Sequence, residues 1–177
     1  MLWVQYFKKF VRNGFVNPLT KRKKMANTYT QLYIHFVFAV QNRISLIQPD
    51  WEEELYRYIT GIIQHKTHKM IAINGMPDHL HMFIGYQPKG AMSELIKVVK
   101  GESSKWIKDR GLVHGRFKWQ EGYGAFSHSR SQIDRVYHYI QNQKEHHRKR
   151  TFRDEYLDLL KKFKVDYDEK YVFKPVE

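Results

Sequence analysis

The sequence predicts an α+β fold of the ferredoxin-like (split βαβ) type: an antiparallel sheet with helices on it, plus a C-terminal helix that bears a tyrosine. Three observations predict it. Two segments, Tyr29 to Val40 and His79 to Tyr86, alternate with the period of a strand. Apolar residues recur at helical spacing after Asp50, Ser93 and Ser131. The elements follow one another as β-α-β-β-α-β-α, with no internal repeat or low-complexity break.

In the first strand Leu32, Ile34, Phe36, Phe38 and Val40 share one face, and Gln31, Tyr33, His35 and Val37 the other. Asp50 is placed to cap a helix that carries Trp51, Leu55, Ile59, Ile62 and Ile63 toward Thr67. Lys69 to Asn74 reads as a second strand. The turn chemistry of Gly75-Met76-Pro77-Asp78 joins it in a hairpin to the third, His79 to Tyr86, which ends at Pro88-Lys89-Gly90. A second helix begins at Ser93 with Ile96, Val99 and Trp106, and is weakened at Gly101, Ser103 and Ser104. A fourth strand is expected at Phe117 to Gln120. Glu121-Gly122-Tyr123-Gly124 then leads through Ser127 to Ser131 into a third helix, Gln132 to about Arg150, and a short fourth helix covers Arg153 to Phe163.

A chain of 177 residues suggests one domain with one core. We expect that domain over residues 25–177, with residues 1–24 as a basic extension outside it. The extension interleaves Trp3, Tyr6, Phe7 and Phe10 with Lys8, Lys9, Arg12, Lys21, Arg22, Lys23 and Lys24. It has no acidic residue, so it supplies 7 of the formal net charge of +13. The remaining +6 still favours a polyanionic partner such as nucleic acid. No apolar run approaches the ~18 residues of a membrane span, so no membrane partner is expected. Without cysteine, disulfides and thiolate metal sites are excluded. A reducing, cytoplasmic location is the expectation, and any metal must be held by imidazole, carboxylate, amide or water.

Residues suited to chemistry concentrate in two places. In Pro77-Asp78-His79-Leu80-His81 the histidines are one residue apart on a strand, so both rings leave the same face and can share one ion. A hydrogen-bonded or surface pair fits the same spacing. Leu80, Met82 and Ile84 form the opposite, core-packed face, which leaves the histidines on the functional side of a central strand. On the third helix, at ~100° per residue, Ile133, Val136, Tyr137 and Ile140 form an apolar stripe, and Asp134, His138, Gln141 and Glu145 face solvent. Tyr139 and Gln143, at i and i+4, fall together on the stripe's other flank, where they present a phenol beside an amide. Ordinary packing fits them as well. Tyr137 and Gln141 have the same spacing, but the helical wheel puts one in the stripe and the other in solvent.

Four ordered blocks carry a resemblance: Tyr29-Thr30-Gln31-Leu32-Tyr33-Ile34-His35-Phe36-Val37-Phe38, Ile73-Asn74-Gly75-Met76-Pro77-Asp78-His79-Leu80-His81, Trp119-Gln120-Glu121-Gly122-Tyr123-Gly124-Ala125-Phe126 and Tyr139-Ile140-Gln141-Asn142-Gln143. Over Met25 to the C-terminus the chain resembles the single-tyrosine HUH transposases, the TnpA family of "IS two hundred"-like and REP-associated elements. The resemblance implies that His79 and His81 are the HUH pair with Leu80 between them, that Tyr139 is the nucleophile, and that Gln143 is a third metal ligand. It implies Mg²⁺ or Mn²⁺ as the ion, although imidazoles alone would suit zinc or another transition metal. The implied activity is tyrosine attack on single-stranded DNA at hairpin-marked element ends. That attack gives a 5′-phosphotyrosine and a 3′-hydroxyl, then rejoining without ATP. The implied assembly is a homodimer in which the tyrosine helix of one subunit meets the histidines of the other. These four positions follow the family pattern, and the segment before Met25 departs from it.

His35, His114, His128, His146 and His147 are alternative ligands, although His146 and His147 also read, with Arg148, Lys149 and Arg150, as a basic helix end facing DNA or as a solvated charge run. Lys97, Lys100, Lys105, Lys118 and Arg130 are candidate phosphate contacts, with Trp119 and Tyr123 as stacking groups for bases; helix surface and core aromatics fit the same residues. A non-catalytic single-stranded nucleic-acid-binding module can share the βαββαβ plan, and a host-domesticated REP-associated relative would share the motifs. A phosphoesterase that works directly through imidazoles is disfavoured, because the next residue on the histidine face is Phe83.

Overall fold

The computed structural model describes residues 29–168 and Val172, so the expected extension over residues 1–24 lies outside the described residues. The elements are β1 (Leu32–Ala39), α1 (Glu52–His65), β2 (Lys69–Met76), β3 (His79–Tyr86), α2 (Met92–Asp109), β4 (Gly124–His128), α3 (Ile133–Gln141), α4 (Gln143–His146) and α5 (Phe152–Lys162). The strands form one antiparallel sheet in the order β2-β3-β1-β4. This is the α+β arrangement that the alternation of elements predicts, with β1 and β3 in the centre.

Both faces of the central strands are covered. Ile34, Phe36, Phe38 and Val40 of the β1 segment and Leu80, Met82 and Ile84 of β3 pack with Leu55, Ile59 and Ile63 of α1 and with Ile96, Val99 and Ile107 of α2. Each such buried side chain contributes about 1.5–3 kcal/mol. On the other face Val37 and Ala39 meet Phe126 of β4 and Phe152, Tyr156, Leu159 and Leu160 of α5. Ala72 and Phe83 meet Val136 and Ile140 of α3. The histidines of β3 lie on this second face, under α3 and α5.

Several local expectations are corrected. The fourth strand is Gly124–His128, not Phe117 to Gln120, and pairs with β1 from Tyr33↔His128 to Val37↔Gly124. Trp119 makes only an isolated bridge to Val40 before Gly122 turns the chain at φ 77°. Phe117 and Trp119 instead serve the core, and Trp119 Nε1 donates to Ser103 Oγ at 2.9 Å. That bond, with Ser103 Oγ donating to Val99 O at 2.6 Å, satisfies the buried hydroxyl, so α2 runs unbroken through its weak residues. Asp50 does not cap α1. Trp51 occupies that position without a side-chain cap bond, and Glu52, Glu53 and Glu54 in the first turn complement the helix dipole.

The expected helix from Gln132 to about Arg150 is broken. Ser129 and Gln132 form a capping box over a short 3₁₀ turn, α3 follows, and Asn142 (φ −93°, ψ 19°) separates α3 from α4. Asparagine is a weak helix former, and the sheet holds the break: Asn74 Nδ2 donates to the carbonyls of Ile140 and Gln141 at 3.0 and 2.9 Å. The tyrosine-bearing helix is thus pinned to β2 next to the hairpin that carries the histidines.

At that hairpin a side chain at Gly75 would collide with the carbonyl oxygen of His79, whereas one at Gly61, in the middle of α1, meets nothing. Gly61→Ala should therefore raise stability by about 0.5–1 kcal/mol, and Gly75→Ala should lower it by roughly 1 kcal/mol or more. Denaturant unfolding of the two variants measures both effects. A shift in the same direction for both would remove the close approach as the reason for glycine at position 75.

Candidate functional site

Register sets the two strand histidines. His79 lies opposite Ala39 and His81 opposite Val37, so both rings leave the sheet toward α3 and α5. Each ring is oriented through Nδ1. His79 Nδ1 donates to Asp78 Oδ1 at 2.7 Å, since an ionised carboxylate can only accept. Asp78 is itself held by Arg43, whose Nε and Nη2 donate to Oδ2 at 3.2 and 3.1 Å. Arg43 does this from left-handed backbone at φ 56°. Burial raises the Asp78 carboxyl's proton affinity, but His79 and Arg43 outweigh it and keep the carboxylate ionised. The ring of Phe152 stacks on His79 with centroids 3.9 Å apart.

His81 Nδ1 lies 3.0 Å from His35 Nε2, on the neighbouring strand. Burial, then the neighbouring His81 and His128, push His35 well below the usual histidine range. His35 is therefore neutral and can accept a proton from His81 Nδ1. Burial is also the main cause that lowers His79 to about 4. Both rings thus turn Nε2 toward the same place, next to Glu155 Oε2, the orientation that metal-bound histidines adopt.

Two residues that the sequence reading did not assign as principal ligands complete the cluster. Glu155 of α5 is 2% exposed. Its Oε2 lies 3.4 Å from His81 Nε2, 3.0 Å from His147 Nε2 and 3.9 Å from His79 Nε2. Burial works against its charge, but His81, His147 and Tyr139 hold the carboxyl well below the usual range. His147 turns inward and its Nε2 is 3.1 Å from that of His79. Its place in a basic, DNA-facing helix end is corrected accordingly. Around it Arg148 pairs with Glu145 at 2.7 Å and Arg150 pairs with Asp158. Burial disfavours a charged His147 ring, yet the bond to Glu155 raises it above its ordinary value. A signal for Glu155 was present. Phe152, Glu155, Tyr156, Leu159 and Leu160 are the buried stripe of α5, with a glutamate at a core position.

Tyr139 reaches the same carboxylate. Its hydroxyl donates to Glu155 Oε1, which also accepts from Gln143 Nε2 at 2.9 Å. Its ring stands edge-on to His81 and His35, with centroids 6.1 and 6.2 Å away. Burial and then the Glu155 charge raise the phenol above its ordinary value, so it rests protonated. All of these residues belong to one chain. Tyr137 is 39% exposed, which corrects its assignment to the apolar stripe.

The donor set fits a cation. His79, His81, His147 and Glu155 each offer one atom, all within 4.8 Å of one another. Ligands at about 2.1 Å from one ion stand roughly 3–4 Å apart. One of these donors, His81 Nε2, and one further buried atom, Gln143 Oε1, have no hydrogen-bond partner among the described residues. Native proteins rarely leave such groups unsatisfied.

The candidate DNA contacts separate into two sets. Lys97, Lys105, Lys118 and Arg130 are exposed, with Lys97 3.8 Å from Glu94. Lys97 and Lys105 belong to α2, across the sheet from the histidines, not beside them. Lys100 is committed to the fold: its Nζ donates to the carbonyls of Gln120, at 2.8 Å, and Gly122. Burial lowers it to about 8. Trp119 is 6% exposed, which removes it as a stacking platform. Tyr123 is half-buried against Phe36. Of the alternative histidines, His114 is exposed, and His146 packs its ring on Tyr139.

His128 sits among Phe83, Phe163 and His35, and neither ring nitrogen has a hydrogen-bond partner among the described residues. Burial, Lys162 and Arg135 lower it to about 4. Between that value and the ordinary ~6.5 the unfolded chain binds more protons, so acidification through this window destabilises the fold. His128→Phe should raise the thermal midpoint, by roughly 1 kcal/mol of stability, and lessen its fall between pH 7 and 5. An unchanged fall would show that His128 does not titrate on unfolding.

Comparison with known proteins places the chain in a family. The family model described as "Transposase IS200 like" matches residues 28–143. The ISDra2 transposase TnpA of Deinococcus radiodurans is 23% identical over 131 residues, which span 71% of this chain and 93% of that protein. A crystal structure of a protein described as a transposase, from Deinococcus radiodurans R1, superposes with a TM-score of 0.52 at 22% identity, covering 68% of this chain and 97% of the other. A structure of a REP-associated tyrosine transposase bound to a REP hairpin gives a TM-score of 0.49 at 15% identity, with coverages of 67% and 70%. With well over half its length matched by the family model, this chain belongs to the IS200-like transposase family.

Proposed function

We propose that this transposase cuts and rejoins single-stranded DNA at hairpin-marked ends with Tyr139 as the nucleophile. The observation that carries the reading is the Tyr139 hydroxyl bonded to a carboxylate that itself lies among His79, His81 and His147. Nucleophile and charge-handling groups are thus one connected cluster. Glu155 Oε1 aims the hydroxyl, and the tyrosine proton leaves along that hydrogen bond as the phenolic oxygen attacks phosphorus. A bond from Tyr139 Oη to phosphorus forms, the bond to the 3′ oxygen breaks, and that oxygen leaves with a proton as a 3′-hydroxyl. The energy of the broken ester stays in the 5′-phosphotyrosine, so a different 3′-hydroxyl can reverse the attack and join strands.

His79, His81 and Gln143 would hold a divalent ion, Mg²⁺ or Mn²⁺. Such an ion, when bound, draws charge from a non-bridging phosphate oxygen. Asp78 and His35 keep the two histidine rings aimed. The exposed Lys118 and Arg130 are available for the DNA backbone. A homodimer, one copy at each DNA end, would carry two such sites, each complete in its own chain.

The test is the full chain with a hairpin-bearing single-stranded oligonucleotide and Mn²⁺, resolved on a denaturing gel. The wild type should form a covalent protein-DNA adduct, and Tyr139→Phe should reduce it below detection. No adduct from the wild type, or an equal one from the variant, would leave a non-catalytic DNA-binding module as the better account.

A further inference from the structure

We propose that His147 and Glu155 are metal ligands together with His79 and His81, so that the centre is built from three imidazoles and a carboxylate and selects a transition ion over Mg²⁺. This rests on the reading that the histidine site takes a divalent ion. It goes beyond the match to the family, which ends at residue 143; His147 and Glu155 lie past that point.

The nitrogen bookkeeping makes the case. His147 Nδ1 faces the carbonyl oxygen of Arg150 at 3.1 Å, and His79 Nδ1 faces Asp78 Oδ1 at 2.7 Å. Both partners only accept, so both Nδ1 atoms carry a proton, and each ring in its neutral form would offer a lone pair at Nε2. Those two Nε2 atoms are nevertheless 3.1 Å apart. Two lone pairs at that distance repel unless a proton or a cation lies between the rings. His81 Nε2, buried and without a hydrogen-bond partner among the described residues, opens onto the same spot.

The carboxylate divides its oxygens to match. Glu155 Oε1 is used by Tyr139 and Gln143, while Oε2 faces all three imidazoles. An ion can therefore take Oε2 without releasing the nucleophile. Four donors within 4.8 Å of one another leave room on a six-coordinate ion for a phosphate oxygen. Three nitrogen ligands are poorly suited to Mg²⁺, which prefers oxygen donors and retains its waters. They suit a transition ion.

The experiment uses MnCl₂ and MgCl₂ with the full chain. Calorimetry and the loss of the free Mn²⁺ paramagnetic resonance signal measure affinity, and the thermal midpoint without metal reports folding. The wild type should bind Mn²⁺ at least about 100-fold more tightly than Mg²⁺. His147→Ala and Glu155→Gln should each weaken Mn²⁺ binding by roughly tenfold or more, measured well below each variant's metal-free midpoint. If both variants bind Mn²⁺ like the wild type while His79→Ala does not, the enlarged ligand set is wrong and the HUH site stands. Equal affinity for the two ions overturns the selectivity. If the wild type binds neither ion, the divalent-ion reading falls as well.

Discussion

Glu155 carries a negative charge at 2% exposure, in the interior of a domain whose neighbouring side chains are largely apolar. A buried carboxylate is tolerated only when its charge is answered and its lone pairs are filled. Here the answer comes from four directions: Tyr139 and Gln143 on Oε1, and His81 and His147 toward Oε2. Each of those groups belongs to a different piece of chain, so one buried charge fixes how α3, α4, the segment after α4 and α5 sit over β3. Breaking any one partner leaves the carboxylate short of compensation. Desolvation thus turns a local hydrogen-bond pattern into a constraint on the whole second face of the sheet.

The rest of the site is arranged to make that constraint useful. The two central strands are buried on both faces, so one face can be given wholly to apolar packing on α1 and α2 while the other carries polar groups. On the polar face His35 of β1 backs His81, and Asp78 with Arg43 backs His79. These two rings are held by groups outside the cluster, which lowers the cost of ordering them when something binds. The break at Asn142 belongs to the same design. Asn74 captures the end of α3, and the chain then turns so that Gln143 and His147 point back toward the sheet.

How much of this was legible in the sequence follows from how local each signal is. The alternation in β1 and β3 and the His-x-His spacing are local, and they correctly place the histidines on one face of a central strand. The family match then covers the stretch that contains them. The fourth strand was misplaced because Phe117 to Gln120 and Gly124 to His128 are both short apolar stretches. Only pairing with β1 distinguishes them. The break in the third helix depends on Asn74, more than sixty residues away, and leaves no periodic trace. Tyr137 fell in the expected stripe because a helical wheel gives direction but not the width of the strip that the sheet covers: Val136 and Ile140 are buried, and Tyr137 beside them is 39% exposed. Glu155 was the one overlooked residue with a local signal, an acid on an apolar stripe. That pattern indicates a buried charge with a partner, but it does not identify which distant groups supply the compensation.

The central claim is that Glu155 gathers the tyrosine and the histidines of the same chain into one site. Equal mixing of Tyr139→Phe chains with chains carrying His79→Ala and His81→Ala tests it directly, read as covalent adduct on hairpin DNA. A site complete within one chain predicts no more adduct from the mixture than from either variant alone, because no molecule holds both halves. Adduct recovered on mixing would mean that the tyrosine of one subunit serves the histidines of another, and would contradict the account.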